Sequence, residues 1–265
     1  GWPGTMTARI TSETLDLANG TLCARLTLAG GRANSLEPVL LRDLAAALDE
    51  AESKDAKVIL LGGGRNFSSG GDVRGFHEAS LGGEAVAYAG EVVPRLQTIV
   101  ARLIAMPRLV VVAARGAITG GSAGLLFAAD LAVLAPDAFV QPYYPQVGFA
   151  PDGGWTALLP ERIGAGRAFE WLQSDRRLSA RNLCDLGLAT RVSDHPEETA
   201  AELAANGEIG TRLTTKALIW DAARRERINA RLEAETSAFL DRIAQPETAR
   251  GMSRFLKRIG AMTDV

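Results

Sequence analysis

The stretch "LLGGGRNFSSGGDVRGF" occupies residues 60–76 and joins the end of an apolar run to a segment of helical pattern. That run, "KVILL" at residues 57–61, is short and rich in aliphatic residues, which predicts a buried strand. A second stretch, "ARGAITGGSAGLLFAAD" at residues 114–130, follows the apolar run "RLVVVAA" at residues 108–114 in the same way. Two glycine-rich junctions, each leading from a buried strand to a helix, predict an α/β fold.

The neighbouring segments extend this architecture in both directions. Residues 8–30 carry strand formers around an Asn-Gly turn, which predicts a β-hairpin. Residues 39–52 have apolar side chains on one helical face, which predicts an amphipathic helix. After residue 160 the pattern is helical almost to the end. We therefore predict an α/β core over residues 6–200 and a C-terminal helical region over residues 201–265.

The composition excludes several classes of function. The 265 residues include 29 Lys and Arg against 31 Asp and Glu, a net charge of −2, so we expect no nucleic-acid or membrane partner. With two cysteines lacking CxxC spacing and only two histidines, we expect no metal site. No apolar run approaches the roughly 20 residues that span a bilayer, and no charged-then-apolar leader opens the chain. These features predict a cytoplasmic protein.

The glycine junctions allow more than one kind of site. Neither contains GxxxxGK[ST], nor a GxGxxG with an acid at the spacing of a dinucleotide-binding fold, which argues against both nucleotide sites. Residues 120–124, "GGSAG", match the G-x-S-x-G of a serine hydrolase. That alternative would pair Ser122 with His195, the one histidine downstream, and with an aspartate such as Asp152.

Several motifs in a fixed order carry a family resemblance. The segments "FSSGGDV", "ARGAITGGSAG", "GFAPDGGWTALLPERIG" and the terminal "FLKR" together resemble the enoyl-CoA hydratase/isomerase (crotonase) superfamily over nearly the whole chain. The resemblance implies a crotonase-like spiral of ββα units with a C-terminal helical trimerisation region. It also implies an acyl-CoA substrate, carried as a coenzyme A thioester without a bound cofactor, and a homotrimer or a dimer of trimers.

The resemblance assigns catalytic roles to three residues. In that family two backbone N–H groups form an oxyanion hole for the thioester carbonyl, and the matching positions here are Gly71 and Gly121. Backbone donors of this kind are each worth about 2.7–4 kcal/mol of transition-state stabilisation. A carboxylate after the proline of "G..P[DE]" serves the family's isomerases, and Asp152 in "GFAPDGG" matches it.

The sequence departs from the family's hydratases, which use two glutamates. Gly124 stands at the first of those positions and Tyr143 or Tyr144 at the second. One carboxylate suffices to move a proton between two carbons, so we predict an enoyl-CoA isomerase with Asp152 as the proton shuttle. Other acyl-CoA enolate reactions, hydrolysis or decarboxylation, remain alternatives, as does a CoA-binding protein without activity.

The resemblance also implies contacts with coenzyme A. Arg65 and Arg74 lie where family members place basic residues near the phosphates, and the Ser69 backbone lies near the adenine position. Arginine suits phosphate because its donors form a planar fork. Arg258 matches a terminal basic residue that reaches a neighbouring subunit's ligand. The predicted CoA-contacting residues are Arg65, Ser69, Asp72, Arg74, Phe255 and Arg258.

Overall fold

The computed structural model describes residues 5–6, 9–31 and 33–263. Its strands are β1 (Thr5–Met6), β2 (Ile10–Asp16), β3 (Leu22–Leu28), β4 (Val58–Gly62), β5 (Leu109–Ala114), β6 (Ala117–Thr119), β7 (Leu131–Leu134), β8 (Phe139–Gln141), β9 (Leu178–Ser179) and β10 (Arg191–Val192). Its helices are α1 (Pro38–Ser53), α2 (Val73–Leu81), α3 (Ala85–Ala105), α4 (Ala123–Phe127), α5 (Tyr144–Val147), α6 (Leu159–Ile163), α7 (Ala165–Ser174), α8 (Ala180–Asp185), α9 (Pro196–Ala204), α10 (Ile209–Ile219), α11 (Ala222–Ile243) and α12 (Pro246–Thr263).

The larger sheet has the strand order β1-β2-β3-β4-β5-β7-β10. Strands β2 and β3 form the predicted antiparallel hairpin, with Ile10 opposite Leu28. From β3 to β10 every neighbouring pair is parallel. All residues of β4 and β5 are buried, as expected for central strands covered on both faces. The mixed α/β prediction is confirmed.

A smaller sheet, in the order β6-β8-β9, lies beside the first. The prediction of helical structure almost to the end after residue 160 is wrong at β9 and β10, which pair with β8 and β7 respectively. Each is two residues long, too short to leave a period-two pattern in the sequence. Their conformation depends on the edges that β7 and β8 offer, which is tertiary information.

Apolar side chains fill both faces of the large sheet. Helices α1 and α3 cover one face through residues such as Leu44 and Val93, and Leu232 and Phe239 of α11 join the same core. Helix α9 covers the other face with small residues, among them Ala200. The predicted boundary between residues 200 and 201 therefore falls inside α9, and the division into two regions stays a prediction.

Hydropathy along the helices bears on membrane association. Over the described ranges, none of the helices combines the length and the apolar character that crossing a bilayer requires.

Candidate active site

The two glycine junctions run side by side. Ser68 forms a parallel bridge with Ile118, its N–H donates to the Ala117 carbonyl at 3.0 Å, and its carbonyl accepts from Thr119 N–H at 3.1 Å. Just beyond, Gly70 has a φ of +80° and its Cα faces the Thr119 carbonyl so closely that a Cβ would collide with it. Glycine is required at this position because both the φ and the close approach exclude a side chain. The pairing brings the ends of both junctions together.

Gly71 and Gly121 lie at these ends and line the same cavity of about 490 Å³. Gly71 precedes Asp72, the N-cap of α2, and Gly121 lies in the short 3-10 turn that leads into α4. Within the described part of the chain, neither N–H group donates a hydrogen bond. The first N–H groups of a helix lack intrahelical partners and favour negative charge. Two such donors at one cavity can bind an oxygen that gains negative charge.

Asp152 places a carboxylate in the wall of this cavity. Its side chain is only 7% exposed, and its Oδ1 would lie 2.8 Å from a Cβ built on Gly121, so it rests against the Gly121 backbone. Burial, reinforced by the negative charge of Glu235, raises the pKa of Asp152 to about 7 although a hydrogen bond from Tyr144 opposes the rise. A carboxyl group with this pKa can both accept and return a proton near neutral pH.

Tyr144 is the partner of this carboxylate. The Tyr144 hydroxyl donates to Asp152 Oδ1 at 2.6 Å, and burial together with the Asp152 charge raises the pKa of the phenol well above its ordinary value. The phenol therefore stays protonated and remains a donor. Tyr143, in contrast, is half-buried, and its hydroxyl accepts from Arg177 at 3.2 Å. The structure thus assigns Tyr144, not Tyr143, to the cavity end that holds Asp152.

Sequence reasoning missed Tyr144 as a candidate catalytic residue. The available signal was its alignment, uncertain by one residue, with a position where the resembling hydratases carry a glutamate. Tyr143 adopts a left-handed conformation with φ +65°, and this turn directs the next residue into the protein. Two adjacent tyrosines in a sequence do not predict that the first adopts a left-handed conformation.

Gly124 has no room for a side chain. A Cβ at this position would collide with the Gly153 carbonyl, because α4 and the turn after Asp152 are in backbone contact. Gly153, with φ +67°, is equally close to the main chain of the preceding 3-10 turn, because a Cβ on it would collide with the Gly121 carbonyl. The glutamate that the resembling hydratases carry here is therefore missing, and the space for it is filled by main chain.

The cavity wall beyond the carboxylate is aromatic. The rings of Phe76, Phe149 and Phe239 pack on one another with centroids 5.1–5.6 Å apart. Leu96 lines the cavity beside Gly121. This wall suits an apolar acyl group.

The predicted CoA-contacting residues divide into two groups. Those that line the cavity are Ser69, Asp72, Arg74 and Phe255. Arg65 is exposed and is not part of the lining. The Ser69 N–H donates to the Ala33 carbonyl at 2.8 Å, and its hydroxyl lies 3.4 Å from the Ser35 hydroxyl. Contact of any of these residues with coenzyme A stays a prediction.

Helix α12 covers the cavity of its own chain through Phe255, Leu256 and Ile259. Arg258 does not line the cavity, and its Nη1 donates to Gln146 Oε1 at 2.9 Å in the same chain. The placement of Arg258 in a neighbouring subunit's site remains a prediction.

The geometry opposes the serine-hydrolase alternative. Ser122 is fully buried, does not line the cavity, and its hydroxyl donates to the carbonyls of Thr119 at 2.8 Å and Ser68 at 3.0 Å. Its backbone is helical, with φ −64° and ψ −24°, whereas a nucleophile elbow is strained. His195 is exposed at the start of α9.

Comparison with known proteins was made by sequence and by fold. The sequence profile of the family described as "Enoyl-CoA hydratase/isomerase" matches residues 21–261. A Bacillus subtilis protein named "Probable enoyl-CoA hydratase" is 31% identical over 196 residues, which cover 72% of this chain and 74% of that protein. "Enoyl-CoA delta isomerase 2" of Rattus norvegicus is 30% identical over 185 residues, covering 69% of this chain and 45% of the rat protein.

Solved structures show the same fold. An enoyl-CoA hydratase/isomerase from Xanthobacter autotrophicus Py2 superposes with a TM-score of 0.81 at 26% identity, covering 94% of this chain and 93% of the other. An enoyl-CoA hydratase from Mycobacterium avium subsp. paratuberculosis K-10 gives a TM-score of 0.81 at 24% identity, covering 96% and 97%. The predicted crotonase-like architecture with C-terminal helices is confirmed.

Proposed function

The chain belongs to the enoyl-CoA hydratase/isomerase family, and from that premise we propose that it is an enoyl-CoA isomerase. The observation that carries the proposal is a single buried carboxylate, Asp152, beside Gly121 in the cavity, together with the absence of space for a side chain at Gly124. The substrate class is a coenzyme A thioester whose acyl chain has a double bond one position away from conjugation with the carbonyl.

The first step needs stabilisation of an enolate. The thioester oxygen would accept hydrogen bonds from the N–H groups of Gly71 and Gly121, which have no other acceptor in the described residues. Both groups are fixed by backbone pairing before substrate arrives, so little reorganisation accompanies the build-up of charge. Their contribution makes the proton next to the carbonyl acidic enough for a carboxylate base.

Asp152 would then move one proton. Its carboxylate takes a proton from the carbon next to the thioester, the electrons shift into a dienolate, and the same carboxyl group returns the proton two carbons further along. The double bond is then conjugated with the carbonyl, and no water is consumed. Because burial raises the pKa of Asp152 to about 7, the carboxyl group exchanges protons readily at neutral pH.

Hydration would need a second group, which the cavity does not offer in the usual place. Addition of water requires one group to activate the water and another to supply a proton. The resemblance places Tyr143 or Tyr144 at the second position of the hydratase pair, and the Tyr144 hydroxyl donates to Asp152 Oδ1 at 2.6 Å. The two hydratase positions therefore carry no carboxylate, and the proposed reaction uses Asp152, which accepts from Tyr144.

The test is a direct comparison of two reactions. We expect purified protein to convert 3-enoyl-CoA to 2-enoyl-CoA, and we expect Asp152→Asn to abolish the conversion while acyl-CoA binding persists. Hydration of crotonyl-CoA at ordinary enzymic rates without isomerisation of any 3-enoyl-CoA would refute the proposal. Release of free CoA or of carbon dioxide from suitable thioesters would identify the hydrolase or decarboxylase instead.

A further inference from the structure

Glu235 lies on α11, outside the cavity lining, with its carboxylate 4% exposed. Its Oε1 accepts from Gly154 N–H at 2.9 Å and its Oε2 from the N–H groups of Thr156 and Ala157, each at 2.9 Å. The Thr156 hydroxyl adds a fourth bond at 2.7 Å. One buried side chain thus binds almost every free amide in the turn that follows Asp152.

Gln97 on α3 completes the arrangement. Its Nε2 donates to Glu235 Oε1 at 2.9 Å, and its Oε1 accepts from Gly153 N–H at 3.1 Å. The turn begins with two left-handed glycines, Gly153 and Gly154, which have no side chains to fix their position. Helices α3 and α11 therefore hold the main chain of this turn through two polar side chains, in addition to the apolar packing of Trp155 and Ala157 in the core.

We propose that Glu235 and Gln97 form a clamp that positions Asp152 for proton transfer, an inference that rests on the isomerase function proposed above. The clamp binds the main chain from Gly153 onward on the side away from the cavity. Asp152 then projects toward Gly121 and Tyr144. Neither clamp residue touches the cavity, so both are positioning residues.

The clamp also acts through charge. Within the described chain, the titratable groups that act on Asp152 are Tyr144 from α5 and Glu235 from α11. Leu96, the neighbour from α3, is apolar. Burial is the main cause of the raised pKa of Asp152, and the charge of Glu235 adds to it because a second negative charge disfavours ionisation. Removing that charge should lower the pKa.

Glu235→Gln is the first variant, because it keeps the shape and removes the charge. One amide NH₂ then faces backbone N–H donors, which displaces the turn. We expect kcat for 3-enoyl-CoA to fall by about 100-fold, the cost of a misplacement near 1 Å, with KM little changed. The titration midpoint of Asp152, followed by the pH dependence of kcat/KM and by NMR of carboxyl-¹³C-labelled aspartate, should move to lower pH.

A charge swap separates positioning from general stability. In Gln97→Glu/Glu235→Gln the carboxylate returns to the network, and among the turn amides only Gly154 N–H loses its acceptor. We expect this double variant to restore the Asp152 midpoint toward that of the unaltered protein and to recover part of kcat. If the clamp acted only by holding the turn in place, the titration midpoint of Asp152 would not recover in the double variant.

The matched control is Asp130, a largely buried carboxylate whose side chain is 12% exposed. Asp130 accepts from Val110 N–H at 2.8 Å and pairs with Lys216 at 2.9 Å, away from the cavity lining. Asp130→Asn should destabilise the fold without moving the Asp152 midpoint. If Glu235→Gln leaves both kcat and the midpoint unchanged, or matches Asp130→Asn in every readout, the clamp proposal is overturned.

Failure to fold has its own test. If Glu235→Gln does not accumulate, Gln97→Leu removes the acceptor of Gly153 N–H and leaves the bonds from residues 154–157 to Glu235 in place. It should lower kcat and keep KM, and an unchanged kcat would overturn the clamp. If the Asp152→Asn enzyme isomerises normally, only the proposed function is refuted. The effect of Glu235 on the titration of Asp152 is still measured, because NMR gives the midpoint of Asp152 in Glu235→Gln without any assay of activity.

Discussion

The Tyr144 hydroxyl and the Asp152 carboxylate lie 2.6 Å apart, and both residues are buried. The hydrogen bond stabilises the ionised carboxylate, while burial favours its protonated form. These opposed effects leave the pKa of Asp152 at about 7. Tyr144 therefore lowers the pH at which Asp152 becomes a base from the value that burial alone would give.

Tyr144→Phe should raise the pKa of Asp152 above about 7, because the carboxylate loses the donor that lowers it. The ascending limb of kcat/KM against pH should then move to higher pH, and activity at pH 7 should fall with the ionised fraction. Tyr88→Phe is the control, since Tyr88 is half-buried and outside the cavity lining. If the ascending limb of kcat/KM stays at the same pH in Tyr144→Phe, Tyr144 does not lower the pKa of Asp152.

Asp152→Asn should stabilise the protein at high pH. In the folded protein the pKa of Asp152 is about 7, well above its ordinary value, so folding favours the protonated acid. Stability is therefore lost as pH rises from the unfolded pKa through the folded one. This rise in pKa corresponds to a loss of up to about 4 kcal/mol in the free energy of unfolding.

The measurement is the free energy of unfolding in urea as a function of pH. At pH 8 we expect Asp152→Asn to have a larger free energy of unfolding than the unaltered protein. Below about pH 4 the two free energies should match, because the aspartate is protonated in both the folded and the unfolded state. A constant difference across this range would show that the substitution acts by packing alone.

Several of these features follow from the sequence and several do not. The hairpin, the central strands and both junctions have local signals: a turn dipeptide, continuous apolar runs and glycine clusters. Gly71, Gly121 and Asp152 were predicted from their motifs, and the structure brings all three to one cavity. Their catalytic roles stay predictions.

Glu235 lay beyond prediction for a physical reason. It belongs to a helix rich in charged residues, where a glutamate normally faces solvent. Only the packing of α11 against α3 reveals that the turn after Asp152 supplies its hydrogen-bond donors. A buried polar network of this kind is a tertiary property and leaves no periodic pattern.

Gly124→Ala should impair both folding and turnover, because the added methyl group meets the Gly153 carbonyl. Either α4 or the turn carrying Asp152 must shift, so we expect a loss of about 1–3 kcal/mol in the free energy of unfolding, the range for overpacking, and a lower kcat. Gly90→Ala is the matched control: Gly90 is exposed in α3 with no atom within 4 Å of its Cβ position. That change should be neutral or stabilise by up to about 1 kcal/mol. Equal behaviour of the two variants would contradict the backbone contact.

Ser122→Ala should retain turnover. The Ser122 hydroxyl donates to two buried carbonyls, so its loss should cost roughly 1–3 kcal/mol of stability without removing a reacting group. A fluorophosphonate probe should leave Ser122 unlabelled, which mass spectrometry of the treated protein can establish. Labelling at Ser122 with loss of activity in the alanine variant would restore the serine-hydrolase alternative.

The last prediction concerns assembly into a homotrimer or a dimer of trimers. Leu218 and Ile219, at the end of α10, are 74% and 50% exposed, and adjacent exposed apolar side chains of this size favour burial on another chain. We therefore expect light scattering at micromolar concentration to give a trimer or hexamer mass, and Leu218→Asp to shift it toward the monomer. Leu81→Asp changes an equally exposed leucine at the end of α2, 77% exposed, and should leave the mass unchanged. A monomer mass for the unaltered protein would contradict the assembly, and equal effects of the two substitutions would show that α10 is not the interface.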